Sequence, residues 1–178
     1  MYRNLLIASL LLLCAALLVA CSDPARTARR EVDRLTRLTE RTEVEVNRAA
    51  RTALVAVATA EGHRRGAELK AAGCGPACAT QPSTALIDPC KGIVAASEAR
   101  YAAATAKVTA GRATAYNAID AVYAALRVVV DLLRTIDAGA KAAGWEAKLA
   151  AVVAGAVGSA ADCAAAVAAF KQAIGGAK

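Results

Sequence analysis

Aromatic residues are scarce in this chain. Its 178 residues include four tyrosines, one tryptophan and one phenylalanine. Because large aromatic side chains supply much of the area buried in a wide globular core, such a core is not expected. Alanine occupies 50 positions instead; it loses no side-chain entropy in a helix but buries little area. This composition predicts narrow helices that approach one another closely.

Histidine is almost absent as well, since His63 is the only one. A histidine-based metal site or a catalytic triad needs further groups that this chain does not offer. The carboxylates lie mostly among arginines, so no pair stands out as a general acid and base. A glycine-rich phosphate loop is also missing. We therefore expect a protein that is not an enzyme and that uses no metal and no cofactor.

Proline does not occur between Pro24 and Pro76, so nothing breaks a helix there. Asp23–Pro24 is a typical helix start, and Gly73 suits a helix end. Apolar or small residues recur between them at helical spacing, namely at Val32, Leu35, Thr39, Thr42, Val46, Ala49, Ala53, Val57 and Ala60. The pattern predicts a first helix over about 24–72.

Asp88–Pro89 repeats the helix start, and a seven-residue repeat follows it, which is typical of a coiled-coil seam. The seam positions are Tyr101, Val108, Ala115, Val122, Val129 and Ile136, interleaved with Thr105, Arg112, Ile119, Leu126 and Leu133. Arg112 beside Gly111 is the weak point, where we expect a local bend or a buried ion pair. The repeat predicts a second helix over about 89–137.

A third helix over about 145–174 is predicted by apolar residues that step by three or four, namely Trp145, Leu149, Val152, Ala156, Ala160, Cys163, Val167, Phe170 and Ile174. The short break before it makes the last two helices antiparallel. The expected fold is all-α: an elongated three-helix bundle or antiparallel coiled coil, in one helical domain over 21–178. A loop at 73–88 is expected to be pinned by disulfide bonds.

The cysteines indicate an oxidising compartment. Apart from Cys14 and Cys21 near the amino terminus, an even number remains: Cys74, Cys78, Cys90 and Cys163. In an exported chain this favours two disulfides over a zinc site, because Cys90 and Cys163 do not form a second close pair of ligands. Three connectivities are open, and we favour a bond from Cys163 to one of the cysteines from Cys74 to Cys90.

The amino terminus has the features of an export signal, with Arg3 followed by an apolar stretch over 5–19. This stretch is short for a membrane span, which needs about 20 apolar residues. It ends in Leu18-Val19-Ala20-Cys21, which resembles the lipobox of bacterial lipoproteins. The resemblance covers about the first 23 residues.

The lipobox resemblance implies that residues 1–20 are a signal peptide and that Cys21 becomes the first residue, with a diacylglycerol on its thiol and often a further acyl chain, such as palmitate, on its amino group. The protein would then be held at a cell membrane on the periplasmic or outer-membrane side. Ser22 after the cysteine slightly favours the outer membrane.

Basic residues exceed acidic ones, with 22 against 15 and a net charge of +7. Six arginines fall within about 80° on the side of the first helix opposite its apolar stripe, flanked by Glu31, Glu40 and Glu45: Arg26, Arg30, Arg34, Arg37, Arg41 and Arg48. This ridge is either a solvated helix face or a binding surface for anionic lipid or cell-wall polymer. Nucleic acid is not an expected partner, because the ridge has no aromatic side chains for stacking.

These features favour a non-enzymatic envelope lipoprotein that acts as a spacer or binds another envelope protein. Two alternatives remain open. The apolar stretch over 149–170 is long enough to cross a bilayer despite Asp162, and with a lipid anchor it would resemble the single-chain spanins of phages, which fuse membranes during lysis. The bundle could also hold a small ligand between its helices. The sequence does not determine the oligomeric state.

Overall fold

The computed structural model describes residues 23–86 and 88–175, and in that part of the chain it contains helices and no strands. The helices are α1 (Pro24–Ala71), α2 (Cys90–Asp137) and α3 (Trp145–Gly175), with 3₁₀ turns at Pro76–Ala79 and Ser83–Ala85. The prediction of an all-α fold with three packed helices is confirmed. No bound of a helix differs from the predicted one by more than a residue.

Side chains and glycines at its ends define α1. The carboxylate of Asp23 accepts a hydrogen bond from the backbone N–H of Ala25 at 3.0 Å, which satisfies one of the free amides of the first turn. At the other end Gly73 has a φ of +75°, a conformation that side chains with a Cβ rarely adopt. The N–H groups of Gly73 and Cys74 bond back to the last turn, as in a Schellman motif.

The start of α2 differs from the prediction. The peptide bond between Asp88 and Pro89 is cis, and α2 begins at Cys90, so Asp88–Pro89 does not reproduce the helix start of Asp23–Pro24. The end of α2 resembles the end of α1, because Gly139 has a φ of +85° and its N–H bonds to the carbonyl of Ile136.

The described residues divide into two compact units. The single helical domain over 21–178 stays a prediction. Among the described residues, unit 1 combines 23–40 with 120–162, and unit 2 combines 41–119 with 163–175. Each unit takes a segment from all three helices and has its own apolar core.

Unit 1 has a core of small and branched side chains. The buried residues are Ala25, Ala28 and Leu35 of α1, Val122, Leu126, Val129, Leu133 and Ile136 of α2, and Leu149 and Ala156 of α3. Thr39 is also buried, and its hydroxyl donates to the carbonyl of Leu35 at 2.8 Å. This buried hydroxyl group therefore has a hydrogen-bond partner. The predicted seven-residue seam of α2 is buried throughout this unit.

Unit 2 is built in the same way. Its core contains Val46, Ala50 and Leu69 of α1, Val94, Val108, Ala115 and Ile119 of α2, and Cys163, Val167 and Phe170 of α3. Phe170 packs on Gly111, where an added Cβ would lie only 2.8 Å from a ring carbon. The missing side chain of Gly111 is therefore what makes room for the largest side chain in this core.

Two seam positions of α2 were predicted wrongly, and both lie in unit 2. Tyr101 is exposed. Arg112 is exposed instead of forming a buried ion pair: its Nη2 donates to Asn47 Oδ1 at 2.8 Å, and its guanidinium lies 5.4 Å from the ring centre of Tyr116. A charged group avoids the cost of burial by staying in water, and its flexible stem lets it do so from the edge of a seam.

The contact between Gly111 and Phe170 gives a prediction with a built-in control. Gly111→Ala is expected to lower the free energy of unfolding by about 1–3 kcal/mol through overpacking. Gly66→Ala, in an exposed part of α1 with open space around it, is expected to raise it by up to about 1 kcal/mol, because alanine favours helix over glycine. Urea unfolding of both variants measures the two signs, and stabilisation by Gly111→Ala would contradict the packing described.

Candidate functional site

A basic face on α1 is the most distinctive surface of unit 1. It consists of Arg26, Arg30, Arg34 and Arg37, all of which are exposed. At about 100° per residue these four lie opposite the buried residues of the same helix segment, so they point away from the core of the unit. We refer to these four arginines as the basic face.

The guanidinium groups of the basic face are only lightly engaged. Arg34 pairs with Glu31 one turn earlier, with 2.8 Å between Nη2 and Oε1. Arg37 uses Nε to donate to the carbonyl of Asp33. The guanidinium groups of Arg26 and Arg30 make no hydrogen bond or ion pair with any described residue. Most of the donor capacity of the face therefore points to solvent.

The other two arginines of the predicted ridge belong to unit 2. Arg41 and Arg48 are exposed there. Next to Arg48, the carboxylate of Glu45 forms an ion pair with Lys171 of α3, and the hydrogen bond from that lysine lowers the pKa of Glu45.

An open groove of about 650 Å³ runs between α1 and α2 of unit 1. Its apolar residues include Val32, Leu126 and Val130, and its charged residues are Asp120, Arg127, Asp131 and Arg134. Two carboxylates balance two guanidinium groups, and Arg134 meets Asp131 at 3.4 Å. The groove consequently selects neither sign of charge in a ligand.

The connection between α1 and α2 is fixed at several points in unit 2. A disulfide joins Cys74 to Cys90, with 6.1 Å between the Cα atoms. Arg65 of α1 donates from Nη2 to the backbone carbonyls of Cys78 and Gln81. These bonds confirm the predicted loop held by a disulfide.

Glu98 of α2 binds the same connection from the opposite helix. It accepts hydrogen bonds from the hydroxyl of Ser83 at 2.8 Å and from the N–H of Ser83 at 3.2 Å. These bonds lower the pKa of the Glu98 carboxyl group. The segment is thus an ordered surface, held by both neighbouring helices.

The prediction of two disulfides was wrong. Cys78 and Cys163 are both free, and Cys163 is buried. Because Phe170 meets Gly111 and α3 runs antiparallel to α2, Cys163 lies opposite about residue 118, on the order of 40 Å along α2 from Cys90. Burial raises the pKa of the Cys163 thiol, so it is an uncharged packing group.

The described residues contain no group of three or more histidine, cysteine, aspartate or glutamate side chains that could hold a metal ion. His63 lies exposed on α1. Trp145 begins α3 half-buried, and Lys141 lies 5.3 Å from its ring centre, a cation–π contact within unit 1.

One polar cluster of unit 2 was missed by the sequence reasoning. The guanidinium of Arg100 bonds to Glu61 and Glu68 of α1, each at 2.9 Å, and these side chains are 30%, 15% and 34% exposed. The hydrogen bonds from Arg100 lower the pKa of both carboxyl groups and raise the pKa of Arg100. The sequence feature that could have indicated this cluster is the spacing of Glu61 and Glu68, which are seven residues apart and therefore lie on one face of α1.

The residues Cys21 and Leu18-Val19-Ala20 lie outside the described residues. At the other end of the chain, α3 is long and apolar enough to cross a membrane, and 17% of its most apolar stretch is buried. Length and composition alone are weak evidence for a span, since a core helix can meet the same criteria.

The disulfide assignment predicts a single bridged peptide. Non-reducing peptide mapping of the oxidised protein is expected to give Cys74 joined to Cys90, with Cys78 and Cys163 alkylated. Replacing Cys74 and Cys90 by serine is expected to lower the free energy of unfolding by about 3 kcal/mol, the value for a loop of about 15 residues. Cys78→Ser should change it by less than about 0.5 kcal/mol. A bridged peptide containing Cys163 would refute the assignment.

The Arg100 cluster predicts a pH-dependent stability. Glu61 and Glu68 have lowered pKa values in the folded state, so their contribution is complete above the ordinary carboxyl range and is lost as the pH falls through the lowered values. Arg100→Gln is expected to lower the Tm by a few degrees at pH 7 and by less at pH 3. Thermal melts of Arg51→Gln, an exposed control, should match the wild type at both pH values. A deficit that stays constant down to pH 3 would contradict this role.

No protein-family model matches this chain, and no curated protein or solved structure is significantly similar to it.

Proposed function

We propose that this protein is a lipid-anchored lipoprotein of the bacterial cell envelope with a structural or protein-interaction role and no catalytic activity. The observation that carries the proposal is the lipobox-like Leu18-Val19-Ala20-Cys21, which only Ser22 separates from the helix cap Asp23. A lipid on Cys21 would join the membrane to α1 with only two residues between them.

The Cys74–Cys90 disulfide supports the compartment. Such bonds persist in oxidising surroundings, such as the periplasm, and are rare in the cytosol. The proposed location is therefore the periplasmic side of a membrane, with the outer membrane favoured slightly by Ser22. The free, buried Cys163 agrees with this because its raised pKa keeps it protonated and unreactive.

The ordered connection between α1 and α2 is the surface we favour for a protein partner. It follows the last residue of α1, whereas the proposed tether precedes the first. Its backbone is held by Arg65, Glu98 and a disulfide, so a partner would meet a surface that loses little conformational entropy on binding.

A second candidate is a single-chain spanin that bridges two membranes, and the length and apolar composition of α3 favour it. Cys163 forms no disulfide, so a bridge to the bundle is not an obstacle. However, α3 contributes Leu149, Cys163 and Phe170 to the cores of the two units, and a spanning α3 would have to leave them. Carbonate extraction after proteolytic removal of the amino terminus separates the candidates: only a spanin keeps the remainder in the membrane fraction.

Lipidation at Cys21 predicts a defined mass. Protein isolated from native membranes is expected to lack residues 1–20 and to carry a diacylglyceryl group together with an acyl chain, and labelled palmitate should be incorporated. Cys21→Ser is expected to abolish both changes, whereas Cys78→Ser should leave them intact. An unprocessed, unacylated wild-type chain would refute the proposed anchor.

A further inference from the structure

We propose that the basic face of α1, formed by Arg26, Arg30, Arg34 and Arg37, binds the anionic phosphate headgroups of the bilayer that carries the protein. Binding along this face would lay the first segment of α1 on the membrane surface. The inference deepens the proposed function, because it rests on the anchor at Cys21 for its location.

The placement of charge on α1 supports a one-sided contact. The four arginines fall within about 80° around the helix and within 11 residue steps along it, about 16 Å. Nearby carboxylates flank the face: Glu31 is paired with Arg34, while Asp33 and Glu40 lie toward the opposite edge. The carboxylate of Asp23 accepts the capping hydrogen bond from Ala25. The face is therefore predominantly positive where it is most exposed.

The arginines are free to bind phosphate. Arg26 and Arg30 have no partner among the described residues, and the Arg34–Glu31 pair has an arginine side chain that is 68% exposed. Exposed ion pairs of this kind contribute little, so exchanging the carboxylate for a phosphate costs little. The planar guanidinium group also presents two parallel N–H donors that match phosphate oxygens.

The position of the face relative to the proposed anchor raises its chance of contact. Arg26 is five residues after Cys21, a chain length of at most about 18 Å. The core of unit 1 lies on the other side of α1, so nothing in that unit separates the arginines from a surface beneath them. A tether of this length makes headgroup binding effectively intramolecular.

The test uses the chain from Ser22 onward, which is untethered but contains every described residue of both cores. Binding is measured by sedimentation with vesicles of phosphatidylcholine, with and without about a third phosphatidylglycerol. The combined variant R26Q/R30Q/R34Q/R37Q is compared with a control of equal charge change, R51Q/K91Q/K107Q/K148Q. The four control residues are exposed and are not among the four arginines of the basic face: Arg51 lies further along α1, in unit 2, and the others lie on α2 and α3.

We expect the wild type to prefer anionic vesicles on the order of several hundredfold and to lose this preference at high salt. Each arginine near the surface is expected to contribute about fivefold, so the combined variant should lose on the order of several hundredfold and the control about threefold or less. Circular dichroism checks that the variants remain folded. If the combined variant does not fold, R26Q/R30Q, which breaks no described contact, should still lose about 25-fold.

Three results would overturn the proposal: equal losses in the variant and the control, equal binding to neutral and anionic vesicles, or binding through the basic face to a soluble anionic cell-wall polymer but not to vesicles. The vesicle assay contains no lipid anchor, whereas the anchor is tested by mass. Failure of the basic face and failure of the anchor are therefore distinguishable.

Discussion

Close approach of helices along the apolar seam of each unit is the constraint on which this structure depends. With 50 alanines and six aromatic side chains, no single layer of the bundle buries much apolar area, so stability must accumulate along the helices. The seam of α2 contributes to the core of each unit, with Val108, Ala115 and Ile119 in unit 2 and five residues from Val122 to Ile136 in unit 1. Gly111 shows the limit of the arrangement, because one additional carbon there would collide with Phe170.

Polar contacts complement this seam where aliphatic contacts are fewer. In unit 2, Val55 of α1 and Tyr101 of α2 are exposed. Near them, Arg100 joins α2 to two glutamates of α1. Arg65, Glu98 and the Cys74–Cys90 bond hold the connection between the two helices. This part of unit 2 exposes apolar side chains to solvent. Directional bonds are needed there to fix how the helices pair, because small side chains alone specify register weakly.

Helical periodicity predicted most of the fold, because burial of a seam depends on spacing and residue type. Leu149, Ala156, Cys163, Val167 and Phe170 are buried as their spacing predicts. Periodicity failed at Arg112, where the cost of burying charge outweighs the register. The even number of cysteines predicted a disulfide for Cys163 wrongly, because a count of cysteines does not show how far apart they lie along the helices. The bonds of Arg100 depend on which residues of α1 face α2, and those of Arg65 depend on the path of the connecting segment. Neither is visible in one helix alone. The basic face was predictable, since its residues share one helix.

The proposed function follows the same division between core and surface. The seam leaves one side of α1 free of packing, and that side carries the arginines adjacent to the proposed anchor. Residue-resolved hydrogen exchange tests the seam most directly. Amides of α2 from Val108 to Ile136 are expected to exchange only through cooperative opening, more slowly than those near Tyr101. If these amides exchange as fast as those of the connecting segments, the seam does not stabilise the helices of each unit and this account of the fold is wrong.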